Sequence, residues 1–147
     1  MEALAIFGLL VFVFILIGIV FYIIFAYAFY KMAMDAGLEN PWMAWIPILQ
    51  LYILGKLIKS LKIGSYEIPN IELVLPAASL LVIVLNKTPI IGSLLSLANY
   101  ILMLFALNKI YKMYKPDQAT LFTVLSIFGL PIPFIFMSIK DLKPIED

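Results

Sequence analysis

From Ala3 to Tyr30 the chain runs 28 residues without one charged side chain, and the run ends at Lys31. A bilayer core about 30 Å thick is crossed by roughly 20 apolar residues in a helix rising 1.5 Å per residue. Within lipid every backbone polar group must be paired inside its own segment, which a helix alone achieves over such a run. The stretch therefore predicts a membrane-spanning helix over about 3–30, continuing to Ala36. Gly37 follows as the residue able to take a left-handed backbone and end it. No basic region precedes the apolar run and no small-residue cleavage pattern follows it, so the segment is expected to be retained rather than removed as a signal.

The rest of the chain has the same character. Of 147 residues, 65% are hydrophobic and 13% charged, where soluble domains carry about 45–50% and about 25%. That leaves no room for a soluble domain, and one integral membrane domain over 1–147 is expected. The net charge of +1 argues against a nucleic-acid partner. With neither Cys nor His in the chain, disulfides, thiolate chemistry, a histidine base and the usual zinc sites are excluded. All ten cations are Lys, so forked recognition of phosphate or carboxylate by arginine is absent. No cofactor or metal is expected.

Three further spans are predicted at about 71–85, 90–107 and 118–139. Asn70 stands at the cap of the first, and Thr88-Pro89 opens the second, which continues as helix to about Tyr114. The last is disturbed by Gly129, Pro131 and Pro133. The segment from about 41 to 62 is too short to span in its apolar part, Trp42 to Gly55, and carries Pro47 and Gln50. With a tryptophan pair at one end and lysines at the other, it reads as an amphipathic or re-entrant helix. A fifth span through 42–55 is the alternative. The fold class expected is all-α: an integral membrane bundle of four transmembrane helices plus that one amphipathic or re-entrant helix. Lys31, Lys56, Lys59, Lys62, Lys109, Lys112 and Lys115 fall in one set of loops. Lys87, Lys140 and Lys143 fall in the other. This bias predicts cytoplasmic long loops and both termini outside the cell membrane.

The candidate functional residues each have a plain structural alternative. Glu72 is the carboxylate nearest a membrane interior and a candidate proton or cation site. In the first turn after Asn70 it is equally an interfacial anion favoured by the helix dipole. Asn99, preceded by Gly92, Ser93 and Ser96, suits close helix packing, an oligomer seam or a pore lining. Gln50 with Tyr52 suits a polar pocket or the headgroup level. Lys56, Lys59 and Lys62, three residues apart, form a candidate row for anionic lipid or a simple topology signal. Pro131 and Pro133 break a helix as in ion sites of transporters, and as in ordinary spans. Ser60 lies near Lys56 and Lys59, but lysines on a wet helix are protonated and make no general base. No enzymatic activity is expected.

The stretch from Lys31 to Tyr52, KMAMDAGLENPWMAWIPILQLY, resembles a group of small, uncharacterised bacterial multi-pass membrane proteins. Its hallmark is a basic residue, Ala-Gly, a Trp and an Ile-Pro-Ile end. The matching residues are Lys31, Ala36, Gly37, Trp42, Ala44, Ile46, Pro47 and Ile48, with a departure at Leu49-Gln50 where Tyr-Asn is usual. Some members are described as signal-peptidase-like, and the catalytic domain of such an enzyme is absent here. The resemblance implies no established activity. The leading expectation is a non-enzymatic accessory or scaffold subunit, partnered by the lipid bilayer and by another membrane protein or itself. A small channel, holin-like or transport protein is the second expectation, and an immunity protein against a membrane-active toxin the third.

Overall fold

The first helix, α1, spans Glu2–Asp35 and is the longest among the described residues. At about 1.5 Å per residue it extends about 50 Å. Residues 1–20 are exposed all round the helix, and burial begins only near Phe21. Its end is set as the sequence predicts. Gly37 takes φ +75°, its N–H donates to the Met34 carbonyl, and the Leu38 N–H donates to the Ala33 carbonyl. This pair of bonds is the Schellman arrangement, with Leu38 folded onto the core.

The computed structural model describes residues 1–145. Glu146 and Asp147, the end of the expected charged tail, lie outside the described residues. The architecture is all-helical apart from one small hairpin. After α1 come a 3-10 turn, Pro41–Trp45, and α2, Pro47–Ile58. Strands β1, Leu61–Ile63, and β2, Tyr66–Ile68, follow, then α3, Ile71–Leu85, and α4, Pro89–Tyr114. Two short helices complete the chain, α5, Ala119–Ser126, and α6, Ile132–Ile139.

The segment after Gly37 turns back along α1. The Tyr22 hydroxyl donates to the Trp45 carbonyl, and the rings of Tyr30 and Trp45 lie 6.3 Å apart. Pro47 then opens α2, which returns until Lys56 and Lys59 share a cavity with Asp35. The expected helix over 41–62 is thus a hairpin folded back on itself, broken at the extended Ile46 and ended at Ile58. The chain then forms an antiparallel β-hairpin pairing Leu61 with Ile68 and Ile63 with Tyr66. Gly64, φ +64°, supplies the first central residue of its turn, where L side chains are disfavoured.

α3 and α4 begin where the sequence places them. Asn70 and Thr88 hold the cap positions, but neither side chain caps its helix. Asn70 adopts φ +50°, and its carbonyl accepts from the Leu73 and Val74 N–H groups. Gly55 lets α2 and α3 cross backbone to backbone, because a Cβ there would lie 2.2 Å from the Glu72 Cα.

The single helix expected over 118–139 is corrected. Two eight-residue helices replace it, each about 12 Å long and too short to cross a bilayer. α5 descends along α4, with the Asn108 amide donating to the Thr123 hydroxyl at 2.9 Å. The chain reverses through Gly129, φ +78°, and Pro131 stands at the cap of α6. α6 climbs back beside α1. Phe134 meets Phe21, and Phe136 packs edge-on against Phe25, Phe29 and Tyr111 at centroid distances of 5.1–5.9 Å. Phe136 is wholly buried and ties α1, α4 and α6 into one core. This second helical hairpin returns Lys140 and Asp141 to the same end as Lys31, where Asp141 contacts Lys31 at 3.2 Å. A single crossing over 118–139 would have carried them to the opposite end.

Candidate functional site

One end of the molecule collects the charge. Lys31, in the last turns of α1, bonds Asp35 at 2.9 Å, one helical turn on. It also reaches Asp141 just past α6, and Asp141 in turn bonds Lys140 at 2.6 Å. These four residues form an alternating chain of charge that fastens the end of α6 to the end of α1. The lysine ammonium groups hold the Asp141 carboxyl below its ordinary value of 3.8, with Lys140 the larger influence and Lys31 the smaller.

Beside this latch lies a cavity of about 410 Å³ between the ends of α1, α2 and α4 and the segment after α6. Lys56, Lys59, Lys140 and Lys143 line it, with Asp35 and Asp141. Met32, Leu57 and Met113 form its buried apolar floor. A second recess of about 390 Å³ is lined by Lys62, Lys109, Lys112 and Glu67. The predicted lysine row is therefore not on one helix. Lys56 is on α2, Lys59 follows its end, and Lys62 is on β1, opposite Glu67 in the strand register. Folding does gather nine of the ten lysines at this end, since Lys115 directly follows α4 and only Lys87, in the α3–α4 turn, lies at the other.

The other candidates stand apart from one another. Glu72 is half-buried in the first turn of α3, where its backbone meets Gly55. The Asn99 amide donates to the Ser79 hydroxyl across the α3–α4 seam at 3.3 Å, and its carbonyl oxygen is buried without a partner. Gly92 fits against the Leu85 and Asn86 carbonyls, so the small-residue run serves packing within the chain. The Ser93 and Ser96 hydroxyls turn back to the carbonyls of Pro89 and Gly92. Gln50 is buried rather than wet: its amide donates to the Ala44 carbonyl at 2.7 Å and closes the first hairpin. Tyr52 lies beneath the Lys56 ammonium, 5.6 Å from the ring centre. Pro131 and Pro133 begin α6 and line no charged site. The motif residues share one structural task. Lys31 and Gly37 finish α1, Trp42 sits on the 3-10 turn, and Pro47 starts α2, so together they build the first hairpin.

Sequence reasoning missed the latch, whose halves lie more than a hundred residues apart. It also missed the polar seam of α4 and α5, where Tyr111 and Ser126 hydroxyls meet at 2.7 Å. Neither Ser126 nor Tyr111 carries a local signal, since each looks like an isolated polar group in an apolar run. Among the described residues no cluster of metal-ligating side chains occurs. Two helices, Glu2–Asp35 and Pro89–Tyr114, are long and apolar enough to cross a membrane. The chain matches no protein-family model, no curated protein sequence and no solved structure.

Proposed function

We propose that this chain is a small multi-pass membrane protein acting as an accessory or scaffold subunit, with α1 as the element that meets its partner. The observation carrying this reading is the first half of α1. Residues 1–20 are apolar except for Glu2 and exposed all round. A helix hydrophobic on every face belongs inside lipid or among other helices. A self-contained bundle would cover one side of it, and here no part of those twenty residues is buried. The body supports the same reading. Among the described residues the buried side chains of Gln50 and Ser126 are both hydrogen-bonded, and the one buried side-chain atom without a partner is the Asn99 carbonyl oxygen at the α3–α4 seam. Glu72 and Asn99, the residues a channel would use, lie on separate contacts.

The lysine asymmetry orients the protein in this proposal. Nine lysines at one end against Lys87 at the other favour a cytoplasmic position for the charged end. Met1 is then outside and Lys140–Asp141 inside, which revises the expectation of both termini outside. α1, α3 and α4 cross, with α3 carrying the chain outward to Lys87, and two re-entrant hairpins dip in from the cytoplasmic side. The resemblance of Lys31–Tyr52 to small bacterial multi-pass proteins agrees with this placement. A photo-crosslinker at Phe14, read in intact cells, tests the function. The accessory reading expects one reproducible protein adduct that is lost when the crosslinker is moved to exposed Tyr66. Lipid adducts alone, together with solute flux through the purified protein in liposomes, would replace it with the channel reading.

A further inference from the structure

We propose that the cavity framed by Lys56, Lys59, Lys140 and Lys143 binds a phosphate group, as carried by an anionic phospholipid headgroup or a free phosphate ester. The charge balance points there. Four lysines face two aspartates, and the aspartates are already occupied. Asp35 is bonded by Lys31, and Asp141 by Lys31 and Lys140. Lys56, Lys59 and Lys143 have no carboxylate within 4.0 Å among the described residues. Among the described residues the cavity thus holds three cations without a carboxylate partner, converging from two separate parts of the chain. The contact of Lys56 with the Tyr52 ring uses the ammonium charge but none of its N–H donors. Lysine serves phosphate as a strong point charge, whereas forked carboxylate recognition requires the arginine this chain lacks. The volume of about 410 Å³ is at the small end of the range for ligand pockets, suited to a headgroup rather than a large cofactor.

The backbone at Lys59 is the second observation. Lys59 has φ +66° and ψ −49°, and the Ser60 N–H donates to the Ile58 carbonyl at 2.7 Å. This is a γ-turn of the rare, strained hand, in which glycine would be relaxed. A long cationic side chain occupies it instead, at the mouth of a basic cavity. Strained non-glycine positions concentrate where a side chain is needed at a fixed place. The turn ends α2 within one residue and keeps Lys59 on the cavity with Lys56, while β1 carries Lys62 to the other recess.

The lipid source rests on the membrane placement proposed above, whereas the phosphate chemistry does not. The full chain, purified in a non-ionic detergent, is titrated with short-chain phosphatidylglycerol, with the phosphatidylcholine of equal chain length, and with inorganic phosphate. Binding is expected for phosphatidylglycerol over phosphatidylcholine, with inorganic phosphate competing. Lys59→Gln and Lys143→Gln should each weaken it about five-fold, and Lys87→Gln should leave it unchanged. Lys59→Gly removes the same charge while relaxing the turn. It should raise thermal stability and still lose affinity, so that a folding defect cannot account for the loss. Phosphatidylglycerol binding at concentrations where inorganic phosphate is inert assigns the lipid source; equal competition assigns a free phosphate. Equal binding of both lipids without phosphate competition, full affinity in Lys59→Gly, or a loss in Lys87→Gln as large as in Lys59→Gln would overturn the site. The measurement involves no partner protein, so its failure is distinct from failure of the accessory reading.

Discussion

Gly55 offers a sharp test of how α2 and α3 meet. A Cβ added there would stand 2.2 Å from the Glu72 Cα and 2.6 Å from its nitrogen, where ordinary contact begins at 3.4 Å. α3 would have to retreat by about 1.2 Å, and its backbone cannot swing aside as a flexible side chain can. Overpacking of this kind costs about 1–3 kcal/mol, and more where the neighbour is rigid. Alanine in place of glycine in a helix offsets at most about 1 kcal/mol of this. Gly55→Ala is therefore expected to destabilise by about 1–2 kcal/mol net, and Gly55→Leu to fail to fold. Gly8→Ala is the control: nothing lies within 4 Å of a Cβ there, and only the propensity gain of up to about 1 kcal/mol remains. Reversible unfolding in mixed micelles, followed by helical circular dichroism, measures both. The two alanine variants should move in opposite directions. Equal stability of Gly55→Ala and the parent chain would refute the backbone crossing of α2 and α3, and with it the placement of Glu72.

Other outcomes follow from the same contacts. Gly37→Ala places a Cβ on a left-handed backbone at φ +75° and should cost about 1–2 kcal/mol in the same unfolding assay. Phe136→Ala empties the ring cluster shared by α1, α4 and α6 and should cost about 3–5 kcal/mol. A loss below 1 kcal/mol would mean that α6 is not docked on α1. A Tyr111→Phe and Ser126→Ala cycle should return a coupling of about 0.5–1.5 kcal/mol from their hydroxyl contact. Because Asp141 is held below its ordinary value of 3.8 by Lys140 and Lys31, the latch contributes in full above that pH. It is lost as the pH falls through the lowered value. Spin labels at Met34 and Leu142 should keep one short distance at pH 5 and separate only below 3.8; separation between pH 5 and 7 would contradict the ion-pair chain.

The parts of the fold legible in the sequence are those written locally. The start of α3 after Asn70, the start of α4 at Pro89 and the end of α1 at Gly37 are each set by residues within one helical turn, and all three stand where read. The β-hairpin is not legible as strands, because three-residue strands are too short to display alternation. The α5–α6 hairpin escaped for a different reason. A crossing helix and two antiparallel half-helices are equally apolar, and a left-handed Gly129 differs from a tolerated helix glycine only in three dimensions. The lysines were visible singly. Their grouping is not legible, because helical spacing does not continue through Lys59, where the chain turns sharply, and because a single helix over 118–139 would put Lys140 and Lys143 at the far end, whereas α5 and α6 turn back. Glu72, Asn99 and Gln50 drew attention as polar groups in apolar runs. The contacts of Asn99 with Ser79 and Gln50 with Ala44 depend on tertiary neighbours that spacing does not encode.

The central claim is that α5 and α6 turn back, so that one end of the molecule carries the lysines and the segment after α6 together. The chain has no native Cys, so single cysteines at Glu2, Lys87, Lys112 and Lys143 can be probed in intact cells with a membrane-impermeant thiol reagent. Glu2→Cys and Lys87→Cys should label from outside, while Lys112→Cys and Lys143→Cys should label only after the membrane is opened. Lys143→Cys labelled from outside with Lys112→Cys protected would mean that 118–139 crosses the membrane, and the account of two re-entrant hairpins would be wrong.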